Sequence, residues 1–355
     1  MTNTPWLSVV IPVYQAEKSV SRAIASVTNQ GVDGVEIICV DDCSPDNSHA
    51  VIEALRHNHP EIVLLRSETN QGPGPSRNIG LGAARGDYIL FLDSDDILLE
   101  GSLEALRATT VAHSADLVLV GCEEVRRGKT RSLTDGPLSN LLSTLSPTTV
   151  EQEPRILFWP PAPWSKVYRR GFLEHHALAF GDGVAEDIPW SVQVTLLAQK
   201  VVSCQVPVYR YTTAATDSSV TTTSSEKNMA IVTQVSLMRE HSQLHTRSPH
   251  IVRHLAALAA IHLIWPNRAA YRLIPDHLQE EFFDHSAKEL TAWLAVSDIP
   301  PEIDSRPLMG AVDRTQYAQA LAGGNWRRWQ KTLQREAQRK AVRRFFRPGK
   351  VFGKK

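Results

Sequence analysis

Over the first 120 residues, short apolar runs alternate with segments of helical period. Leu7 to Val13, Val35 to Val40, Ile62 to Leu65, Tyr88 to Leu92 and Leu117 to Gly121 are four to seven residues long and rich in Val, Ile and Leu. Such runs suit strands buried on both faces, as in a parallel sheet covered by helices. Between them Val20, Ala23, Ile24 and Val27 recur at helical spacing, as do Val51 with Leu55 and Leu103 with Leu106. Strand, helix, strand in this order predicts a doubly wound α/β domain, whose ligands sit beyond the carboxyl ends of the strands.

Past Cys122 the pattern loosens. Residues 126–150 are rich in Ser, Thr, Gly and Pro, and Trp159-Pro-Pro-Ala-Pro-Trp164 interrupts any regular element; both read as loops covering the sheet edge. A helix is predicted from about Asp187 to Ala198, then a hairpin-like pair over Val201 to Val206 and Val208 to Tyr211, then a mobile loop over Thr212 to Ser225. From Glu226 onward the period is helical, with breaks at Pro249, Pro266, Pro275 and Pro300-Pro301. The expected organisation is an α/β domain over 1–225, an all-α region over 226–325 and a basic tail over 326–355.

With 42% apolar and 21% charged residues, the chain has the composition of a globular protein and not of a disordered one. The longest apolar stretch, Ile251 to Trp265, is broken by Arg253, His254 and His262, so no membrane-spanning segment is expected. The opening Met-Thr-Asn-Thr-Pro has no basic region of a signal peptide, and the expected location is cytoplasmic. Cys39, Cys43, Cys122 and Cys204 lack metal-site spacing and read as free, mostly buried thiols. A formal net charge of zero argues against a nucleic-acid partner.

Four constellations carry chemistry. Asp93-Ser94-Asp95-Asp96 closes a buried strand with three carboxylates in four residues, which repel one another unless a cation neutralises them. A Mg²⁺ or Mn²⁺ ion would take a few of these oxygens and complete its shell with water and phosphate; a solvated turn capping the next helix is the alternative. Asp41-Asp42 closes another strand, where one carboxylate could accept a nucleobase N–H while the other caps a helix. Asn70 to Gly80 is a Gly/Pro-rich loop entering a short helix over Ser76 to Ala84, with Arg77 as a fixed cation for an anion. Glu186-Asp187 opens a later helix, as either a helix-capping pair or a general base.

Taken together and in this order, these elements resemble the family 2 glycosyltransferases, inverting nucleotide-sugar enzymes of the GT-A fold. The resemblance is carried by Leu7-Ser-Val-Val-Ile-Pro12-Val-Tyr14 with Glu17, by Asp41-Asp42-Cys-Ser44 with Asp46 and Ser48, and by Asn70-x-Gly72 with Ser76-Arg77-Asn78-x-Gly80. It continues in Asp93-Ser-Asp95-Asp96, Trp164-x-Lys166, Glu186-Asp187, Tyr209-Arg210-Tyr211 and Ser218-Ser219-Val-Thr221. It implies a Rossmann-like, mainly parallel sheet followed by helices. It further implies that Asp41 reads the uracil of a UDP-sugar, with Pro12 and Tyr14 lining the base pocket and Glu17 near the nucleoside. Asn70 and Arg77 would contact the donor, Asp93 its ribose or sugar, and Asp95 the Mg²⁺ or Mn²⁺ ion. Asp187 would be the catalytic base with Glu186 orienting the acceptor, and Arg210 and Ser219 would belong to a loop closing on the diphosphate. Implied acceptors are a glycan, a polyol-phosphate polymer or a lipid-linked molecule.

Two other classes are weighed against this. A sugar nucleotidyltransferase would carry a Gly-rich basic loop after the first strand, where this chain has Val13-Tyr14-Gln15-Ala16-Glu17. A non-catalytic nucleotide-sugar-binding or scaffold protein need not keep every acidic motif. Residues 326–355 hold twelve Lys/Arg against Glu336, a net +11 that leaves −11 on the remainder. With Trp326, Trp329, Phe345 and Phe346 at helical steps, this tail reads as an amphipathic contact to the anionic inner face of a membrane. A solvated terminus or an anionic polymer partner would use the same charges.

Overall fold

In a computed structural model, the structure describes residues 4–126, 128–134, 141, 147–212, 224–246, 248–267, 273–296, 321, 323–327 and 329–331. Its centre is one sheet. Strands β1 (Leu7–Val13), β2 (Val35–Asp41), β3 (Ile62–Arg66) and β4 (Tyr88–Phe91) lie parallel in the order β3-β2-β1-β4. Helices α1 (Val20–Thr28), α2 (Ser48–Arg56) and α3 (Pro73–Ala83) make the crossovers. The remaining strands are β5 (Ile97–Leu98), β6 (Leu117–Arg126), β7 (Lys129–Ser132), β8 (Lys166–Arg169) and β9 (Val201–Thr212). Beyond β4 the order continues β8-β6-β9-β5; β8 runs antiparallel to both neighbours, while β6 and β9 pair in parallel.

Alternation along each strand divides the core between two faces. Val9, Ile11, Ile37, Cys39 and Leu90 pack on one side with Ile24 of α1, Ile52 of α2 and Leu103 and Leu106 of α4 (Ser102–His113). Val10, Ile38, Val40, Ile89 and Phe91 face the other side. That side is covered by α3, by α6 (Asp187–Leu197), which follows the short α5 (Arg170–His175), and by the C-terminal helices. Those helices are α7 (Ala230–His245), α8 (Pro249–Ile264) and α9 (Gln279–Val296), and their buried side chains are continuous with the sheet's second core. Gly80 of α3 is required by this packing, because a Cβ there would overlap Val10 Cγ1 of β1.

Three expectations change. The hairpin expected over residues 201–211 is the single strand β9, which passes Pro207 by register shifts against β6 near Gly121. Part of the expected loop after Cys122 is β7, an antiparallel partner of β6. Trp329 is fully buried and donates from Nε1 to the Asn267 carbonyl at 3.3 Å, with the Phe283 ring 5.6 Å from its own and 5.3 Å from that of Trp326. Trp329 is thus a core side chain and not a membrane anchor, while Trp326 is partly buried and packs against the same core. The rest of the tail, from 332 on, lies outside the described residues, as does Ser219. Among the described residues no helix is long and apolar enough to cross a membrane, and all four cysteines are free, as expected.

Candidate active site

The loops after β1, β2 and β3 are stitched together at the carboxyl end of the sheet. Gln15 N donates to Ser44 Oγ (3.3 Å), Ala16 N to Ser48 Oγ (2.8 Å) and Glu17 N to Asp46 Oδ2 (3.1 Å). Asn47 N returns the contact to Glu17 Oε2 at 3.2 Å. Holding this turn costs backbone strain, because Gln15 (φ 51°) and Cys43 (φ 56°) occupy the left-handed region. Tyr14 stands out of the turn with 45% of its surface exposed, one residue beyond Val13, the strand partner of Asp41.

The two aspartates after β2 have different partners. Asp42 accepts from Gln71 N (3.0 Å) and Gly72 N (2.7 Å), so it moors the Gly/Pro-rich loop and is not a helix cap. The start of α2 is held instead by Asp46, which accepts from Ser48 N and Oγ. Asp41 is wholly buried; its Oδ1 accepts from Ser44 N at 3.0 Å, while Oδ2 accepts no hydrogen bond. Arg66 Nε and His49 Nδ1 both stand 3.3 Å from that oxygen as ion-pair neighbours. A buried acceptor without a donor is what a nucleobase N–H would satisfy.

The acidic turn after β4 divides its carboxylates likewise. Asp96 is fully buried, accepting from Tyr209 Oη (2.6 Å) and Thr212 N (2.7 Å), and Asp93 N donates to the same Tyr209 oxygen at 3.1 Å. Burial, with Asp93 and Asp95 beside it, pushes the Asp96 carboxyl up to about 8. Asp96 therefore fastens the turn to β9. Asp95 reaches the surface, and its carboxylate accepts a hydrogen bond from no other residue among those described. Desolvation and then the Asp93 charge raise its pKa. Those two carboxylates fit a hard divalent cation that draws its other ligands from phosphate and water. Among the described residues no group of three or more His, Cys, Asp or Glu forms a cage around a metal.

Arg77 joins this turn to the opposite wall. Its guanidinium is buried in α3, donating to Asp93 Oδ1 (3.0 Å) and Glu186 Oε1 (2.8 Å) with the Phe180 ring 5.5 Å away. Both terminal nitrogens are therefore engaged by carboxylates, and Nε has no partner. Burial works against the guanidinium charge, but Asp93 and Glu186 hold its pKa above the ordinary value. Glu186 is pushed up to about 7 by burial despite Arg77. Asp187, the first residue of α6 and half-buried, is raised by burial, with Arg77 and Lys166 pulling the other way. The pair is presented by a tight approach: Ala185 has φ 64°, and a Cβ on Gly74 would stand 2.5 Å from the Gly181 carbonyl oxygen. Asn78 exchanges two hydrogen bonds with the Phe180 backbone (2.8 and 2.9 Å), fixing α3 to the segment before Glu186.

Thus Asp93, Arg77, Glu186 and Asp187 form one cluster, and Pro12, Tyr14, Glu17, Asp41 and the loop bearing the exposed Asn70 surround the neighbouring strand ends. Arg210 departs from expectation. It is a residue of strand β9 and not of a loop, and its Nε and Nη2 pair with Glu123 Oε1 at 2.9 and 2.6 Å. Ser219 lies outside the described residues. Sequence reasoning assigned no task to Tyr209, whose ring stacks on Trp164 at 4.4 Å, or to Lys166, wholly buried below α6. Both stand in motifs that carried the resemblance, Tyr209-Arg-Tyr211 and Trp164-x-Lys166.

The family model for glycosyl transferase family 2 matches residues 8–175. An uncharacterized glycosyltransferase of Haemophilus influenzae is 43% identical over 102 residues, covering 29% of this chain and 41% of the relative. EpsH of Bacillus subtilis is 32% identical over 217 residues, 59% of this chain and 61% of EpsH. Poly(ribitol-phosphate) beta-N-acetylglucosaminyltransferase TarS of Staphylococcus aureus is 29% identical over 219 residues, 58% of this chain and 35% of TarS. The chain thus spans less than two thirds of the length of these curated relatives. Crystal structures of S. aureus TarS 1–349 share the GT-A fold. The complex with UDP has a TM-score of 0.70 at 20% identity, covering 98% of this chain and 95% of that one. The complex with UDP-GlcNAc has a TM-score of 0.72 at 21% identity, covering 94% and 91%.

Proposed function

Because this chain belongs, through residues 8–175, to glycosyl transferase family 2, we propose that it transfers a sugar from a UDP-sugar to an acceptor hydroxyl with inversion at the anomeric carbon. The uracil N–H meets the Asp41 carboxylate, whose Oδ2 accepts no hydrogen bond, once the part-exposed Arg66 and His49 side chains beside it give way, and the ring lies against Tyr14. Arg77 holds Asp93 at the donor and Glu186 at the acceptor on one guanidinium. Asp187 takes the proton of the attacking hydroxyl, and its half-buried setting makes the carboxylate more basic than in water. Attack from the face opposite the diphosphate inverts configuration in one displacement. Asp95, with Asp93 beside it, would hold a Mg²⁺ or Mn²⁺ ion, which would supply positive charge where the diphosphate departs.

The observation that carries this reading is the shared guanidinium, which brings the acidic turn of the donor side within one side chain of the acidic pair on α6. The sugar is a hexose or N-acetylhexosamine. The TarS structures with UDP and UDP-GlcNAc support a UDP donor and make GlcNAc the first to try. The name of TarS likewise supports a cell-surface polymer, such as a polyol phosphate, as acceptor. A cytoplasmic enzyme at the inner face of the membrane suits such an acceptor, with the Lys and Arg of the tail facing its anionic groups. Screening UDP-sugars for UDP release with Mg²⁺ or Mn²⁺ tests the donor class. The expected result is release from one UDP-sugar and none after chelation; binding of UDP without turnover of any would contradict the enzymatic reading.

A further inference from the structure

Lys166 is the first residue of β8, and its side chain has no exposure. Its Nζ lies within hydrogen-bond distance of three oxygens from three places: the Pro160 carbonyl (3.0 Å), Ser191 Oγ (3.0 Å) and Ser165 Oγ (3.2 Å). Three acceptors match the three protons of an ammonium, whereas a neutral amine has two protons and a lone pair. The Ser165 hydroxyl is positioned to give its own proton to Pro160 O or Ala162 O (2.7 and 2.8 Å), which leaves its lone pairs for the lysine. No carboxylate among the described residues comes within ion-pair distance of Nζ, so the cage holds a positive charge that is not cancelled by direct contact.

The cage also ties separate elements together. Ser191 lies one turn after Asp187 on α6, so both project from the same side of that helix. Pro160 and Ser165 belong to the Pro-rich loop that runs into β8. The charge thus sits below the helix end that presents Asp187, where it adds to the positive end of the helix dipole. The other titratable or charged groups acting on Asp187 are Arg77 from α3, Asp93 after β4, Tyr168 from β8 and its neighbour Glu186. Lys166 itself feels Asp187 and the buried thiol of Cys122 on β6.

We propose that Lys166 is a positioning residue for the reaction: its caged ammonium fixes the first turn of α6 against the Pro-rich loop and keeps the Asp187 carboxylate ionised. This rests on Asp187 being the base. Burial pushes the Lys166 amine down to about 7 even with Asp187 and the Cys122 thiol drawing it upward, so the three oxygens of the cage hold an ammonium in a setting that favours loss of its proton.

The test is the pH dependence of UDP release from the UDP-sugar that the full chain turns over, at saturating donor and metal, with UDP affinity measured separately by calorimetry. Removing a nearby positive charge raises a carboxyl pKa. Lys166→Met should therefore move the acid limb of kcat upward by about half to one pH unit and lower kcat about tenfold or more, with UDP Kd within about twofold. An unmoved acid limb overturns the proposal, as does a loss of UDP affinity that parallels the loss of kcat. If Lys166→Met does not fold, Ser191→Ala decides: a smaller upward shift supports the proposal and no shift overturns it. Asp187→Asn in the same assay separates the two levels. If it retains turnover, or the wild type releases no UDP, the reading of Asp187 fails and this inference with it. If it abolishes turnover while Lys166→Met moves nothing, the inference alone fails.

Discussion

Arg77 Nη1 lies 2.8 Å from Glu186 Oε1, a buried ion pair between residues 109 positions apart. Removing one partner leaves the other charge stranded, which costs about 3–5 kcal/mol in buried pairs. Arg77→Leu should lower stability by about that amount at pH 8, measured by denaturant unfolding, and by less at pH 5, where Glu186 carries a proton. An equal loss at both pH values would contradict the pairing.

Glu186 has its own pH signature. Its folded pKa of about 7 stands above the ordinary 4.5, so the native state binds the proton more tightly than the unfolded chain. The corresponding stability is full below about pH 4.5 and is lost as pH rises through about 7, on the order of 3 kcal/mol. Glu186→Gln should flatten the wild-type decline in stability between pH 5 and pH 8. A decline of unchanged size would contradict the assignment.

The acidic turn should separate by residue. Asp95→Ala should abolish the dependence of UDP affinity on Mg²⁺ or Mn²⁺ and leave the melting temperature within a few degrees. Asp96→Ala should instead lower stability by about 1–3 kcal/mol, because the Tyr209 hydroxyl and Thr212 N lose their acceptor. Calorimetry with and without metal, beside thermal unfolding, distinguishes the two.

Trp329→Ala should cost about 3–5 kcal/mol, as expected for a large core aromatic. Binding of the full chain to anionic liposomes should not depend on the Trp326 or Trp329 rings. Binding lost with Trp326→Ala in a folded protein would restore a membrane role for that ring.

Much of the fold was legible because β1 to β4 are continuous apolar runs with helical segments between them, and burial on both faces writes itself into sequence that way. The acidic strand ends were legible too, but not the division of labour within each pair. Asp41 and Asp42 are adjacent and identical in type; only the path of the Gln71-Gly72 backbone makes the second a mooring and leaves the first with an oxygen that accepts no hydrogen bond. Asp96 differs from Asp95 through a strand residue more than a hundred positions away. Two apolar runs over 201–206 and 208–211 read as a hairpin, yet they form one strand, because the shifted register against β6 absorbs Pro207 between them. The indoles at 326 and 329 have the spacing of an interfacial helix, and only the Phe283 surface shows that the core takes Trp329 and partly covers Trp326.

The uracil reading predicts that Asp41→Ala weakens UDP binding about tenfold or more. The same substitution should change binding of inorganic pyrophosphate little, since Asp41 faces the base and not the phosphates. Equal losses for both ligands would place Asp41 elsewhere.

Turnover of the matched UDP-sugar by Asp187→Asn, with UDP affinity measured alongside, tests the role of the α6 carboxylate most directly. With Asp187 as the base, UDP release falls by about a hundredfold or more while UDP Kd stays within about twofold. Release at a rate close to wild type, with affinity unchanged, would contradict it.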